Sequence, residues 1–276
     1  MNRKIRTICA YLFLIAVALF VLLPIVYMLD ASLKTNEEIF RIPFTWRIGS
    51  LQFDNYRSAL SESPVFVYLK NSAIVASVAT AANVLVSSVA GYGMAKLVAK
   101  RSGFMNMVLL VLLMLPAQAL IFPLFMMMAS MNLADTLKAL IIPGITSPFS
   151  VFFMKQYFLT FPDEMLEAAR VEGAEESVIF WKIVLPYARP ALSALAVFNF
   201  LFNWNNFLWP LIILKSKSNF TIPIGIAQMS GEYQTPYGTL MAAATLVSLP
   251  VLLIYFVLQK KLIRGATLKV NKSVDR

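Results

Sequence analysis

Six apolar runs divide the chain, near residues 8–29, 72–97, 104–128, 138–158, 190–214 and 239–259, and none carries Asp, Glu, Lys, Arg or His near its centre. Each approaches or exceeds the ~17–25 residues that a helix needs to cross a bilayer. In lipid, every backbone amide and carbonyl must find its partner within the protein, which favours helices over open sheets. The expected fold class is therefore an all-α membrane protein with six transmembrane helices, forming one domain over residues 1–276. Composition agrees. Hydrophobic residues make up 59% and charged residues 14%, against roughly 45–50% and about 25% in soluble domains. The fourth run is interrupted by Pro143, Gly144 and Pro148. It is expected to pack inside the bundle, where neighbours can satisfy the freed backbone groups. The first run exceeds the ~7–15 apolar residues of a signal peptide, and is read as a retained span. Segment 30–70, with Phe40, Phe44, Trp46, Phe53 and Tyr56, is expected to form short interfacial helices.

Charge gives the orientation. Of the 24 Lys and Arg residues, 16 fall on one side of the spans and 8 on the other. The richer side is cytoplasmic by the positive-inside rule, which puts both termini inside, and the basic tail from Lys260 to Arg276 weighs most. The net charge of +10 is that of residues flanking spans, so the expected partner is the bilayer and not nucleic acid. With no histidine and the lone Cys9, no ligand set for zinc, haem or an iron–sulfur cluster exists, and no metal site is expected. No G-x-x-x-x-G-K-[ST] is present to cradle a nucleotide phosphate. Gly91-Tyr92-Gly93, at the inner end of an Ala-rich span, reads as close helix packing. Proton- and ion-coupled carriers commonly bury ionisable groups in their spans. Their absence here puts the expected energy source in other chains.

By parity the loop 159–189 lies in the cytoplasm. Thr160 with Asp163 reads as a weak capping box, and Pro162 suits a helix's first turn. Asp163 and Glu164 favour the positive end of the helix dipole. The helix should run to about Arg170, with Met165, Leu166, Ala168 and Ala169 as a small apolar face and Glu164, Glu167 and Arg170 elsewhere. Gly173 fits the C-terminal cap. A second helix over about 175–185 has Ile179, Ile183 and Val184 for packing, and Pro186 turns the chain back toward the membrane. A plain helix-turn-helix connection would account for these signals.

The loop also carries a longer pattern: E-A-A, three residues, G, nine residues, I-x-L-P. It is filled by Glu167, Ala168, Ala169, Gly173, Ile183, Leu185 and Pro186. Together with Asn203-Trp204-Asn205-Asn206-Phe207-Leu208-Trp209-Pro210-Leu211, it resembles the permease subunits of binding-protein-dependent ABC importers. The likeness is to the carbohydrate branch, in particular the six-span partner of the maltose-type pair, and covers essentially the whole chain. Glu172 stands where that family more often has Asp, and the tail after Gly265 follows the usual ending loosely.

The resemblance implies the type I ABC importer permease fold, with residues 160–186 as a coupling loop seated in a cleft of a cytoplasmic ATPase. Glu167 would pair with a basic ATPase residue, Ala168 and Ala169 would allow close approach, and Gly173 would make the turn. Arg170, Ile183, Leu185 and Pro186 complete the implied coupling set. The implied partners are a second permease subunit, two ATPase subunits and an extracellular substrate-binding protein. This chain would catalyse nothing and bind no cofactor, with ATP and Mg on the ATPase subunits, in a bacterial or archaeal plasma (inner) membrane.

Asn199, Asn203 and Asn206 recur at helical spacing, as do Ser77, Thr80, Asn83 and Ser87, and the third run holds Gln118. Such groups serve interhelical hydrogen bonding or line a polar translocation path, so Asn83, Gln118, Asn199, Asn203 and Asn206 are candidate pathway residues. A lining of amides without fixed charge suits a neutral sugar or polyol. A phosphorylated cargo would want an Arg or Lys clamp, which leaves glycerol phosphate or another polyol derivative as the alternative. A membrane-embedded transferase would need a catalytic acid, base or metal group, and the dense carboxylate cluster lies only in the loop. In the outer loop at about 215–238, the resemblance makes Ser230, Gly231, Glu232 and Tyr233 candidate contacts for the binding protein.

Overall fold

Apolar length sets the long helices, and Pro116 and Pro148 stand at two of the breaks between them. The computed structural model describes residues 3–43, 46, 51–61, 64–98, 102–230 and 235–267, the side chains of 251 and 254–267 excepted. In chain order the helices are α1 (Arg3–Ser32), α2 (Asn36–Ile39), α3 (Asp54–Ser61), α4 (Val65–Tyr92, continued by a π-helix Gly93–Leu97), α5 (Ser102–Met114) and α6 (Ile121–Ser130). There follow α7 (Lys138–Gly144), α8 (Pro148–Leu159), α9 (Asp163–Val171), α10 (Glu176–Ile179), a π-helix Phe180–Val184 and α11 (Leu185–Tyr187). The last are α12 (Arg189–Trp204), α13 (Leu208–Ile213), α14 (Ile222–Gln228) and α15 (Tyr237–Thr267). No strand occurs among the described residues.

Lys4–Ser32 and Val65–Leu97 are each long and apolar enough to cross a membrane unbroken. Two bent pairs qualify if each is one broken span: Gly103–Met114 with Ala117–Ser130 at 93°, and Glu176–Tyr187 with Arg189–Trp204 at 76°. The third apolar run therefore breaks, at Pro116, which has no amide hydrogen to continue the ladder. The fourth run is two helices. Pro148 does not interrupt there; it starts α8, with Ser147 as N-cap accepting the Ser150 amide at 3.1 Å. Leu140, Met154 and Phe158 on this pair are buried. The fifth run divides at Asn205–Phe207 between α12 and α13, and the sixth lies within α15.

The chain forms two compact units. One comprises Met1–Phe66 with Ile224–Pro250, the other Val67–Pro223 with Val251–Arg276. In the first, the long loop does form short helices. Thr35 and Glu38 close a full capping box on α2. Asn55 of α3 donates to the Ser32 and Lys34 carbonyls at 3.0 and 2.9 Å. Lys34 pairs with Asp30 at 2.5 Å, both buried. A Cβ on Gly238 would come within 2.7 Å of the Lys34 carbonyl, so α15 begins against this knot with room only for hydrogen.

In the second unit, the connection before α7 is fastened to the one after α13 by a single carboxylate. Asp135, with φ +58°, accepts the Lys215 and Ser216 amides at 2.9 and 3.0 Å and the Ser216 hydroxyl at 2.5 Å. Burial pushes this carboxyl up, but those bonds and one from Asn219 outweigh it and hold the group down at about 2. Deeper in, Gly91 of α4 meets α8 so closely that a Cβ would lie 2.8 Å from the Lys155 nitrogen. The expectation of close helix packing at this glycine holds.

Candidate functional site

The loop helix α9 starts at Asp163, with Asp163 and Glu164 in its first turn and Pro162 at the N-cap. The capping box expected from Thr160 does not form. Pro162 has no side-chain acceptor and takes the cap position, while the Thr160 hydroxyl donates back to the Tyr157 carbonyl at 2.7 Å, at the end of α8. The C-terminus follows expectation closely. Gly173 has φ +82°, a left-handed backbone open to glycine at little cost. Its amide donates to the Arg170 carbonyl and the Ala174 amide to the Ala169 carbonyl, both at 3.0 Å. This is a Schellman cap.

The small apolar face expected on α9 is two faces. Leu166 and Ala169, three residues apart, are buried in a core with Tyr92, Phe158, Ile179 and Val184. Met165 and Val171 are exposed, 46% and 89%, as are Glu167, Ala168 and Arg170. Ala169 therefore allows close approach to the chain's own core, and Ala168 is the alanine left on the outer face. The I-x-L-P end also turns inward, with Ile183 and Leu185 half-buried against the same core. Pro186 lies inside α11, half-buried, and does not turn the chain. The turn comes two residues later at fully buried Ala188, whose backbone leaves the helical region before α12 begins.

Two side chains, Tyr92 at the end of α4 and Lys96 in the π-helix that continues it, tie the loop to the inner end of this helix. The Tyr92 hydroxyl donates to the Glu176 carboxylate. Arg170 forks onto the same carboxylate, Nε to Oε2 and Nη2 to Oε1, both at 3.1 Å. The Lys96 ammonium donates to the Phe161 carbonyl at 2.8 Å and to Asp163 at 2.6 Å. The Arg170 hydrogen bonds lower the Glu176 carboxyl below the usual range and raise the guanidinium in return. Sequence reasoning missed this network. Tyr92 and Glu176 are separated by 84 positions, and Tyr92 read only as a ring between two glycines.

The candidate pathway amides assemble in the second unit. Asn83, Asn199 and Asn203 line one cavity of about 330 Å³, with Phe149, Phe198 and Phe202. Gln118, Asn203 and Asn206 line a second, of about 420 Å³, sharing Pro143, Gly144 and Phe202 with the first. The hydrogen-bonding role coexists with lining. Asn83 donates to the Gly144 carbonyl at 3.0 Å, Asn199 to the Ser150 hydroxyl at 3.2 Å, and Asn203 to the Asn199 carbonyl at 2.8 Å. Ser87 is buried behind Asn83 and Ser77 is exposed, so neither joins the lining. Trp209 is buried, its indole nitrogen donating to the Ala139 carbonyl. Of the candidate binding-protein contacts, Ser230 is exposed; Gly231, Glu232 and Tyr233 lie outside the described residues, as does the tail from 268.

Residues 84–267 match the family described as binding-protein-dependent transport system inner membrane component. The chain is 34% identical over 273 residues to the arabinooligosaccharides transport system permease protein AraQ of Halalkalibacterium halodurans, covering 97% of this chain and 98% of that one. It is 36% identical to the lactose transport system permease protein LacG of Rhizobium radiobacter, covering 96% of each. It is 32% identical to the sn-glycerol-3-phosphate transport system permease protein UgpE of Pectobacterium atrosepticum, over 96% and 97%. Among solved structures, a chain of a bacterial ABC transporter involved in the import of the acidic polysaccharide alginate superposes with a TM-score of 0.83 at 19% identity, covering 94% of this chain and 98% of that one. The all-helical membrane fold is that of an ABC importer permease, and the chain belongs to the family of binding-protein-dependent transport system inner membrane components.

Proposed function

We propose that this chain is the six-span permease subunit of an ATP-driven importer, forming with a second permease the pathway for a sugar or oligosaccharide. The observation that carries the cargo class is the lining of the two cavities. Amides, the hydroxyl residues Thr146 and Ser147, and aromatic rings line them, and no charged residue lines either one among the described residues. Relatives named for lactose and arabinooligosaccharide transport support a neutral carbohydrate. The relative named for sn-glycerol-3-phosphate supports the alternative cargo, for which the second permease would have to supply the cationic clamp.

Two ATPase subunits bind ATP and Mg, and an extracellular binding protein delivers the cargo; this chain binds no cofactor and catalyses no chemistry. Both termini and the loop 160–186 face the cytoplasm. The exposed half of α9, Glu167 with Ala168 and Met165, meets the ATPase cleft, where a charge pair fixes orientation more than it adds affinity. The buried half holds that face in place. Closure of the ATPases on ATP moves the loop and opens the pathway outward.

Co-purification from native membranes tests the assembly. The tagged chain should bring down an ATPase and a second multi-span subunit, and recovery of the chain alone would overturn the reading. A binding assay on the cognate extracellular protein tests the cargo. Saturable binding of a neutral sugar is expected, and binding of glycerol phosphate in its place would select the alternative.

A further inference from the structure

We propose that α4 carries motion of the loop to the cavity, with Tyr92 and Lys96 as the positioning residues that lock it to the loop. The inference rests on the transport reading above and adds the transmitting element to it. Tyr92 is 3% exposed, and a buried phenol needs a hydrogen-bond partner. A carbonyl of another membrane-spanning helix would serve, and would tie α4 to no part of the loop. Its partner is instead the Glu176 carboxylate, from the helix beyond the Gly173 turn, and that carboxylate also holds Arg170 of α9. One phenol thus grips both arms of the loop.

Lys96, one helical turn on, repeats the arrangement. Its side chain is 7% exposed and its ammonium reaches the Phe161 carbonyl and Asp163, at the entrance to α9. The π-helix Gly93–Leu97 lies just past Tyr92, and such insertions recur at functional sites. Within its length α4 also lines the cavity. Asn83 is nine residues earlier on the same helix, about 13–14 Å along the axis. There it lines the cavity and donates to the Gly144 carbonyl. An unbroken helix fixed at both points moves both together.

The test uses the whole transporter, purified through the tagged chain, with Cys9→Ser and Thr146→Cys as background, which puts a thiol at an exposed position of the cavity wall and leaves the Asn83 contact in place. Modification of the new thiol by a maleimide is followed without nucleotide and with ATP and vanadate, so no cargo need be identified. In the parent, nucleotide should change the labelling rate. With Tyr92→Phe that change should shrink roughly tenfold, the ratio for one lost hydrogen bond to a charged group, while the ATPase still co-purifies. A Tyr92→Phe response equal to the parent's would overturn the inference. So would loss of the ATPase from that variant, since Tyr92 would then seat the loop and transmit nothing. Absence of ATPase from the parent would instead sink the transport reading. Should Tyr92→Phe fail to accumulate in membranes, Glu176→Ala, which removes the acceptor from the half-exposed end of the contact, gives the same readout.

Discussion

The loop and the cavity belong to one unit of the fold, and they settle their polar groups by different means. At the loop, ions meet ions: Arg170 with Glu176, and Lys96 with Asp163. At the cavity, every named contact is neutral, from Asn83 to the Gly144 carbonyl and from Asn199 to Ser150. Where water reaches, a carboxylate keeps its charge cheaply and a fork of guanidinium bonds gives it direction. Within a span an unpaired ion is costly, so amides orient the surface instead. Charge therefore marks the contacts of the loop, and neutral amides mark the wall of the cavity.

The comparison breaks most visibly through Gly173. Proline there cannot adopt the left-handed backbone and has no amide for the Arg170 carbonyl, at a local cost of ~3 kcal/mol. Gly173→Pro should abolish uptake in whole cells while membrane levels on immunoblots stay normal, and Glu167→Lys should do the same from the exposed face. Normal uptake by both would remove the loop from transport. Next comes charge moved to the wrong region. Asn83→Asp should lower stability by about 2.5–3.5 kcal/mol, read as a drop in the detergent melting temperature. Neutralising the loop should matter less. Glu176→Gln removes an ion pair whose partners are 40% and 37% exposed, so its cost is about 1 kcal/mol or below.

The smallest effect is acid dependence. The Glu176 carboxyl lies below its ordinary value in the folded chain, chiefly through Arg170. Its stabilisation is therefore present above the unfolded value of ~4.3 and lost as pH falls from there through the folded one. Asp135, held at about 2, should lose its share between about pH 4 and pH 2. Melting curves from pH 7 to 3 should fall at the acid end, and Asp135→Asn should flatten that fall more than Glu176→Gln does. An unchanged slope in both would contradict these assignments.

What the sequence disclosed and what it concealed divide along the same physical line. Apolar length announced the helices, and Gly173 announced its turn, because both depend on neighbours within a few positions. The breaks were harder. Pro116 ends a helix and Pro148 begins one, and which it does depends on whether a residue such as Ser147 stands ready to cap. Thr160 was misread for that reason: Pro162 took the cap and left the hydroxyl to the preceding helix. The E-A-A pattern marked the loop but could not say which alanine faces out, since Leu166 and Ala169 had to be buried first. Tyr92 was illegible, because only the folded backbone brings it to Glu176.

Ala188, at the corner between α11 and α12, is fully buried. Its amide still donates to the Val184 carbonyl at 3.0 Å, and its carbonyl accepts the Leu192 amide at 2.9 Å. The 76° elbow is thus hydrogen-bonded on both sides of a fully buried alanine. A bulkier residue at 188 would have to open that corner, so Ala188→Leu should lower the melting temperature in detergent.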